Sequence, residues 1–323
     1  MSASSVVFIR LDKIGDLVST LSVDEHPELR NWKVKWVVSS GLGWIAAQAT
    51  PPRDFIEISP DKKNWKESYR RLFKFLRQEK PEAVVVFQAP WWVSLACFRA
   101  QIPLRIGRKS QWHSFLFFNR SFRQSRSLSE KHEAQYNQEL VEQGLGLKHV
   151  DLPPLRLQGN FAPHLLEKLN VQKNKYLVVH PGMFGSALNW PQSHYNTLIE
   201  NLVGKNVVVV TGTPQDERFL SEIKQRWKSH PQVRIAQGKL SLQELMSVLS
   251  MSSGIIAPST GVLHLAASLG IPSVGIYSPI LAHHPKRWGP RGPRTIFLLP
   301  PEGCEDMSQI SVEDVLCKLA AFN

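Results

Sequence analysis

The chain is poor in cysteine, with three in 323 residues: Cys97, Cys304 and Cys317. They are too few and too widely spaced for a thiolate metal cluster or a disulfide framework, which fits a reducing compartment. No apolar run reaches the roughly 18 residues that crossing a bilayer requires. The opening Met-Ser-Ala-Ser-Ser leads straight into a strand-like run and does not read as a signal peptide. There is no low-complexity tract, and no internal repeat with a period of about 20–50 residues. Acidic residues are missing from two long stretches, 83–129 and 245–301. The whole chain carries a formal charge of +12. Such an excess points to an acidic partner, whether nucleic acid, anionic lipid or a phosphorylated metabolite, although a basic surface with no partner has the same composition.

What is present is an alternation of strands and helices. At 323 residues the chain predicts about two domains. Continuous apolar runs at 6–10, 34–38 and 83–87 predict buried parallel strands, with helices near 14–22, 64–77 and 132–145. A polar, proline-bearing stretch follows, and the junction is expected between 150 and 172. The pattern then restarts, with strands at 176–180, 207–211, 233–236, 254–257 and 273–277. Helices are expected near 191–203, 214–228, 241–251 and 261–269, their starts marked by Pro191, Pro214 and a Ser241-x-x-Glu244 capping box. The expectation is α/β, with two tandem Rossmann-like doubly wound domains over 1–160 and 161–323.

Parallel sheets bind ligands at the carboxyl ends of their strands, and three loops there carry unusual chemistry. Arg10-Leu-Asp-Lys-Ile-Gly-Asp16 follows the first strand and places Asp16 near a helix start, either as a cap or as a carboxylate facing a cleft. His180-Pro-Gly-Met-Phe-Gly-Ser-Ala-Leu-Asn-Trp-Pro191 offers Gly182, Gly185 and Ser186 for close approach to a phosphate, and fits no Walker or dinucleotide pattern. Ser259-Thr260-Gly261 joins an apolar strand to a helix whose unpaired amides suit an anion, with the Thr260 hydroxyl as an added donor. An ordinary Ser/Thr helix cap explains the same turn.

Taken in order, the three loops resemble glycosyltransferase family 9, the bacterial heptosyltransferases of the lipopolysaccharide core. The matching signatures are Arg10 through Gly15-Asp16, His180-Pro-Gly182 with Trp190-Pro191, and Ser259-Thr-Gly-Val-Leu-His264-Leu-Ala-Ala267; Arg287-Trp-Gly-Pro290 is also similar. The resemblance implies a GT-B fold with an interdomain cleft, the acceptor on the first domain and a nucleotide-sugar on the second. It also implies a C-terminal helix, 311–321, that packs back on the first domain. The implied chemistry is inverting and metal-independent, with no cofactor besides the co-substrate ADP-heptose. Asp16 matches the catalytic base. Gly182, Ser186, Asn189, Asp216, Leu240, Ser259, Thr260, Gly261 and His264 match the donor side. Asp216 is equally explained as a first-turn helix acid, and Leu240 as core. The implied setting is cytoplasmic, with peripheral contact at the inner membrane.

Two departures bear on the donor. Family members often carry Lys or Arg before Trp-Pro, where this chain has Leu188-Asn189, and often Asp where it has Ser259. They leave open a different nucleotide-sugar, or a non-catalytic saccharide-binding relative. On the acceptor side, Arg105, Arg108, Lys109, Arg120 and Arg123 lie in the acid-free stretch and suit an anionic, lipid-linked saccharide. Trp91, Trp92, Trp112, Phe115, Phe117 and Phe118 are interleaved with them, and at least half are expected in the core. Single-stranded nucleic acid is the competing partner for such a mixture. No compact recognition motif supports it, so no specific nucleic acid is expected.

Overall fold

The computed structural model describes residues 4–183 and 188–322. It divides into two compact units, Met1–Leu155 and Arg156–Asn323. The first holds strands β1 (Ser5–Arg10), β2 (Lys33–Ser39), β3 (Phe55–Ile58), β4 (Ala83–Gln88), β5 (Leu104–Arg108) and β6 (Arg120–Phe122). Its helices are α1 (Ile14–Leu21), α2 (Gly43–Gln48), α3 (Trp65–Glu79), α4 (Trp91–Arg99), α5 (Trp112–Phe117) and α6 (Glu133–Leu145). The second holds β7 (Tyr176–Val179), β8 (Val207–Val210), β9 (Val233–Ile235), β10 (Gly254–Pro258), β11 (Ser273–Ile276) and β12 (Thr295–Leu298). Its helices are α7 (Pro163–Leu169), α8 (Gln192–Leu202), α9 (Glu217–Trp227), α10 (Leu242–Ser250), α11 (Gly261–Ser268), α12 (Pro285–Trp288) and α13 (Val312–Ala320).

Each unit is one parallel six-stranded sheet, ordered β3-β2-β1-β4-β5-β6 in the first and β12-β11-β10-β7-β8-β9 in the second. The order reverses between β1 and β4, and again between β7 and β10, so each sheet has one switch point where loops diverge to leave a ligand crevice. Helices cover both faces, which is why the central strands read as unbroken apolar runs. On one face of the first sheet Val7, Ile9, Val84 and Val86 pack on Leu72 and Leu76 of α3 and on Val93 and Ala96 of α4. On the other, Phe8 lies 5.1 Å from Trp36, ring centre to ring centre, and Trp36 lies 6.1 Å from Phe87. In the second unit Val179, Val208 and Val210 pack on Tyr195 and Leu198 of α8 and Leu220 and Ile223 of α9. Val312 and Val315 of α13 join this same core. The Ser241–Glu244 capping box forms with both bonds in place, at 2.7 and 3.2 Å. Among the described residues no helix is long and apolar enough to cross a membrane.

One expectation about the core is corrected. Of the six rings interleaved with the arginines only Trp92 is buried; Trp91, Trp112 and Phe115 are exposed, and Phe117 and Phe118 are half-buried. The reason is geometric: α5 is a six-residue helix packed beside α4 and β5, too short to bury Trp112, Phe115 and Phe117 together with the Phe118 that follows.

Candidate functional site

At the switch point of the first sheet, the β1–β4 register shifts at Ile9–Arg10, with Phe87 of β4 the extra residue, and the Leu11 amide donates to the Gln88 carbonyl of β4 at 2.9 Å. Arg10, only 2% exposed, points into a ring of acids. Its Nε donates to Asp12 Oδ1 at 2.7 Å, its Nη2 to Asp16 Oδ1 at 2.6 Å and its Nη1 to Asn137 Oδ1 at 3.3 Å. Glu133 lies 3.6 Å from the same guanidinium and is also paired with Arg126. Asn137 Nδ2 donates to Thr20 Oγ1, which donates in turn to the Asp16 carbonyl at 2.7 Å. The network thus ties β1 and the first turn of α1 to α6. Burial works against the Arg10 charge, but the three carboxylates outweigh it and hold its pKa above the ordinary value. Burial pushes the Asp12 carboxyl up to about 6, against the pull of Arg10.

Asp16 does not cap its helix. The N-cap of α1 is Lys13, with no side-chain capping bond, and the Asp16 carboxylate is held by Arg10 and 18% exposed. A carboxylate oriented at a strand's carboxyl end and open to solvent is placed to accept a proton from a bound hydroxyl.

The switch point of the second sheet is built differently. Beyond β10, Thr260 is the N-cap of α11 with extended backbone and no side-chain capping bond. Its Oγ1 is buried and has no hydrogen-bond partner among the described residues. A buried hydroxyl without a partner costs free energy, which a ligand acceptor beside the first amides of α11 would recover. Ser259, next in the turn, lies near the Tyr277 phenol, which donates to the Trp288 carbonyl at 3.0 Å. His264 is buried one turn into α11.

The neighbouring loop after β7 is held at both ends. Asn189 Nδ2 donates to the Pro181 carbonyl at 3.0 Å, Asn189 Oδ1 accepts from the Trp190 amide, and Trp190 Nε1 donates to the Ile310 carbonyl. A Cβ on Gly182 would sit 2.3 Å from Asp216 Cγ, so only glycine fits. Asp216 is itself 1% exposed, its Oδ2 accepting from the Thr213 amide and hydroxyl. His180 shares a 2.8 Å hydrogen bond with Thr211 Oγ1, and burial pushes its pKa down to about 4 although Asp216 opposes the shift. Leu240 is half-buried ahead of α10. Ser186 and Gly185 lie outside the described residues.

The basic residues expected on the acceptor side do not form one patch. Arg105 and Arg108 stand three apart on β5, so they face opposite sides of the sheet. Arg105 donates to the Phe117 and Ile102 carbonyls at 2.7 and 2.6 Å, fastening α5. Arg108 pairs with the Gln88 side chain beside the β1–β4 switch point. Lys109, Arg120 and Arg123 are exposed. Sequence reasoning named Asp12 and His180 only as members of their motifs and missed Glu133, Arg126 and Asn137 as parts of these constellations. The one available signal was Glu133 and Asn137 at i, i+4, a polar pair on an otherwise buried helix face. Among the described residues no cluster of three His, Cys, Asp or Glu is placed to hold a metal ion.

Comparison with known proteins places this geometry. The family model for glycosyltransferase family 9 (heptosyltransferase) matches residues 69–313. A Haemophilus influenzae protein, named only provisionally as a glycosyltransferase, is 28% identical over 98% of this chain and 96% of its own length. Among solved structures, a family 9 glycosyl transferase from Veillonella parvula superposes with a TM-score of 0.84 at 18% identity, covering 98% of this chain and 96% of that one. The Escherichia coli ADP-heptose lipopolysaccharide heptosyltransferase II gives 0.78 at 18% identity, covering 98% of each chain. The likeness establishes the GT-B fold expected from the sequence.

Proposed function

The chain belongs to glycosyltransferase family 9, and from that premise we propose that it moves a heptose from ADP-heptose to a lipopolysaccharide core acceptor. It is a transferase; the donor, the acceptor and the roles below are our assignment. Asp16 takes the proton of the acceptor hydroxyl as that oxygen attacks the anomeric carbon. The bond to the nucleoside diphosphate breaks on the opposite face, with inversion, and the leaving group departs with the electron pair. Arg10 acts as a positioning residue: it holds Oδ1 of Asp16 at 2.6 Å. The Thr260 hydroxyl, the first amides of α11 and the positive end of that helix receive the diphosphate charge, so transfer needs no metal. The acid-free stretch with Lys286 and Arg287 adds to the positive potential there. We place the enzyme in the cytoplasm at the inner membrane, where a lipid-linked acceptor is reached.

One observation supports the donor side above the others: the buried Thr260 hydroxyl does not cap its helix and has no partner among the described residues. The names of the similar E. coli and H. influenzae proteins agree with a sugar transferase, and the first of them names ADP-heptose and lipopolysaccharide. A second reading, transfer from another nucleotide-sugar, is favoured by Leu188 and Ser259, which stand where family members often carry a cation and an acid. The test is a donor screen of ADP-, GDP- and UDP-sugars against a truncated lipopolysaccharide core. Turnover restricted to ADP-heptose supports the first reading. A preference for another donor supports the second, and nucleotide-sugar binding without turnover points to a non-catalytic relative.

A further inference from the structure

The outer layer of the first unit carries a surface that the transferase chemistry leaves unexplained. On α5, Trp112 is 59%, Phe115 55% and Leu116 63% exposed, and Trp91 and Phe98 of α4 are exposed beside them. The rings form one stripe: Trp65 to Trp91 at 5.3 Å, Trp91 to Trp112 at 6.1 Å, Trp112 to Phe117 at 6.3 Å and Phe117 to Phe98 at 5.6 Å. The stripe is held in shape, because Arg105 stacks under Phe98 while its guanidinium binds the Phe117 carbonyl. Cations frame it. Lys109 Nζ sits 5.2 Å from the Phe115 ring, Arg99 is exposed at the end of α4, and α3, packed beside α4, presents Lys66, Arg70 and Lys74 at i, i+4 and i+8.

We propose that this α3–α4–α5 face docks on an anionic bilayer, with Trp112, Phe115 and Leu116 entering the interface and the basic row lying on the headgroups. A contiguous exposed apolar patch is a liability unless something covers it. Aromatic rings beside lysines and arginines are the composition that settles at a lipid–water boundary. Leu116 and Phe115 offer no hydrogen bonds, so a saccharide gains little from them. A second copy of the same face would bring two predominantly basic surfaces together, since a twofold contact uses the same patch on both copies and α4 and α5 hold no acid to neutralise them. Trp91 and Trp112 follow the carboxyl ends of β4 and β5, the same pole of the sheet as Asp16. Docking there would present that pole to a lipid-linked acceptor, a consequence that rests on the proposed function although the docking itself does not.

The experiment is flotation of the full chain with vesicles of phosphatidylcholine alone and of phosphatidylcholine mixed with phosphatidylglycerol. The parent is expected to float with the anionic vesicles only, and less as salt rises. Replacing Trp112→Ser, Phe115→Ser and Leu116→Ser together should reduce that binding at least tenfold, while Arg70→Glu with Lys74→Glu should weaken it roughly fivefold or more per charge. Brominated acyl chains should quench the parent's tryptophan emission and quench a Trp112→Phe variant less, which tests insertion even if the triple variant folds poorly. Equal binding to both vesicle types, undiminished binding by the triple variant, or a dimer removed by that variant without vesicle binding would each overturn the proposal. Titrating nucleotide-sugar in lipid-free solution keeps the two claims apart. Donor binding without flotation removes the docking face alone, and flotation without donor binding removes the transferase assignment alone.

Discussion

The carboxyl ends of the two sheets handle charge in opposite ways. In the first unit a buried guanidinium holds Asp12 and Asp16 and lies beside Glu133, which Arg126 also pairs, so negative charge is supplied by the protein and fixed in place. In the second, Ser259-Thr260-Gly261 opens a helix in a stretch with no acid from 245 to 301, and the Thr260 hydroxyl is buried with no partner among the described residues. In the proposed transfer, one strand order would supply both the proton acceptor and the anion site. A pole that owns its anion has a proton acceptor ready, and a pole that lacks one can take an anion from the ligand. The price of the first is a buried ion network that one deletion disrupts, and that of the second is a polar atom left unsatisfied until something binds.

That contrast is open to direct attack. The largest effect belongs to Asp16→Asn, which preserves size and removes the proton acceptor. Transfer should fall roughly 10²–10⁴-fold with nucleotide affinity unchanged, measured by turnover and calorimetry side by side. Arg10→Met should cost about 3–5 kcal/mol of stability by leaving buried carboxylates unpaired. Urea unfolding would show it, and Arg10→Lys should restore part of the loss.

Acidification should separate the poles by sign. His180 is held near 4 in the folded chain against an ordinary 6.5, so the unfolded chain binds the extra proton and stability is lost as pH falls through that window, by about 3 kcal/mol. His180→Gln should flatten that limb. Asp12, raised to about 6, works in reverse: its contribution is present below the ordinary carboxyl pKa and is lost as pH rises through 6. Asp12→Asn should remove that falling limb, and pH-resolved denaturation reads both variants.

Thr260→Val should weaken nucleotide diphosphate binding by about 1–3 kcal/mol while leaving the free protein as stable as the parent, or more so. A stability loss near 1 kcal/mol with normal binding would mean that the hydroxyl caps α11 after all. Smallest of these is Ser241→Ala, which removes one half of a formed capping box and should cost about 1 kcal/mol of stability.

Both switch points were legible in the sequence because each begins with a strand buried on two faces. Runs such as Val6-Val-Phe-Ile9 and Gly254-Ile-Ile-Ala257 show no alternation, and the turn residues follow at once. Three of the four edge strands were not, β9 being the exception. Phe55–Ile58 and Thr295–Leu298 are largely half-buried, and Arg120–Phe122 is three residues long, so none makes an unbroken apolar run. Helices α4 and α5 were hidden by their aromatic content, which blurs the 3.6-residue alternation of apolar and polar faces. At the site, Asp16 and Thr260 were visible as positions, while their surroundings were not. Arg10 meets Asn137 across 127 residues of chain, a distance over which local pattern carries no information. The orphaned state of the Thr260 hydroxyl depends on a backbone geometry that the letters Ser-Thr-Gly do not specify.

The most direct measurement is a calorimetric titration of ADP into the parent, Asp16→Asn and Thr260→Val proteins under one set of conditions. The account predicts equal affinity for the parent and Asp16→Asn, and roughly 5- to 150-fold weakening for Thr260→Val, given about 1–3 kcal/mol for one lost hydrogen bond. Binding that is lost in Asp16→Asn but intact in Thr260→Val would contradict it, because the anion would then belong to the pole that already holds its own negative charge.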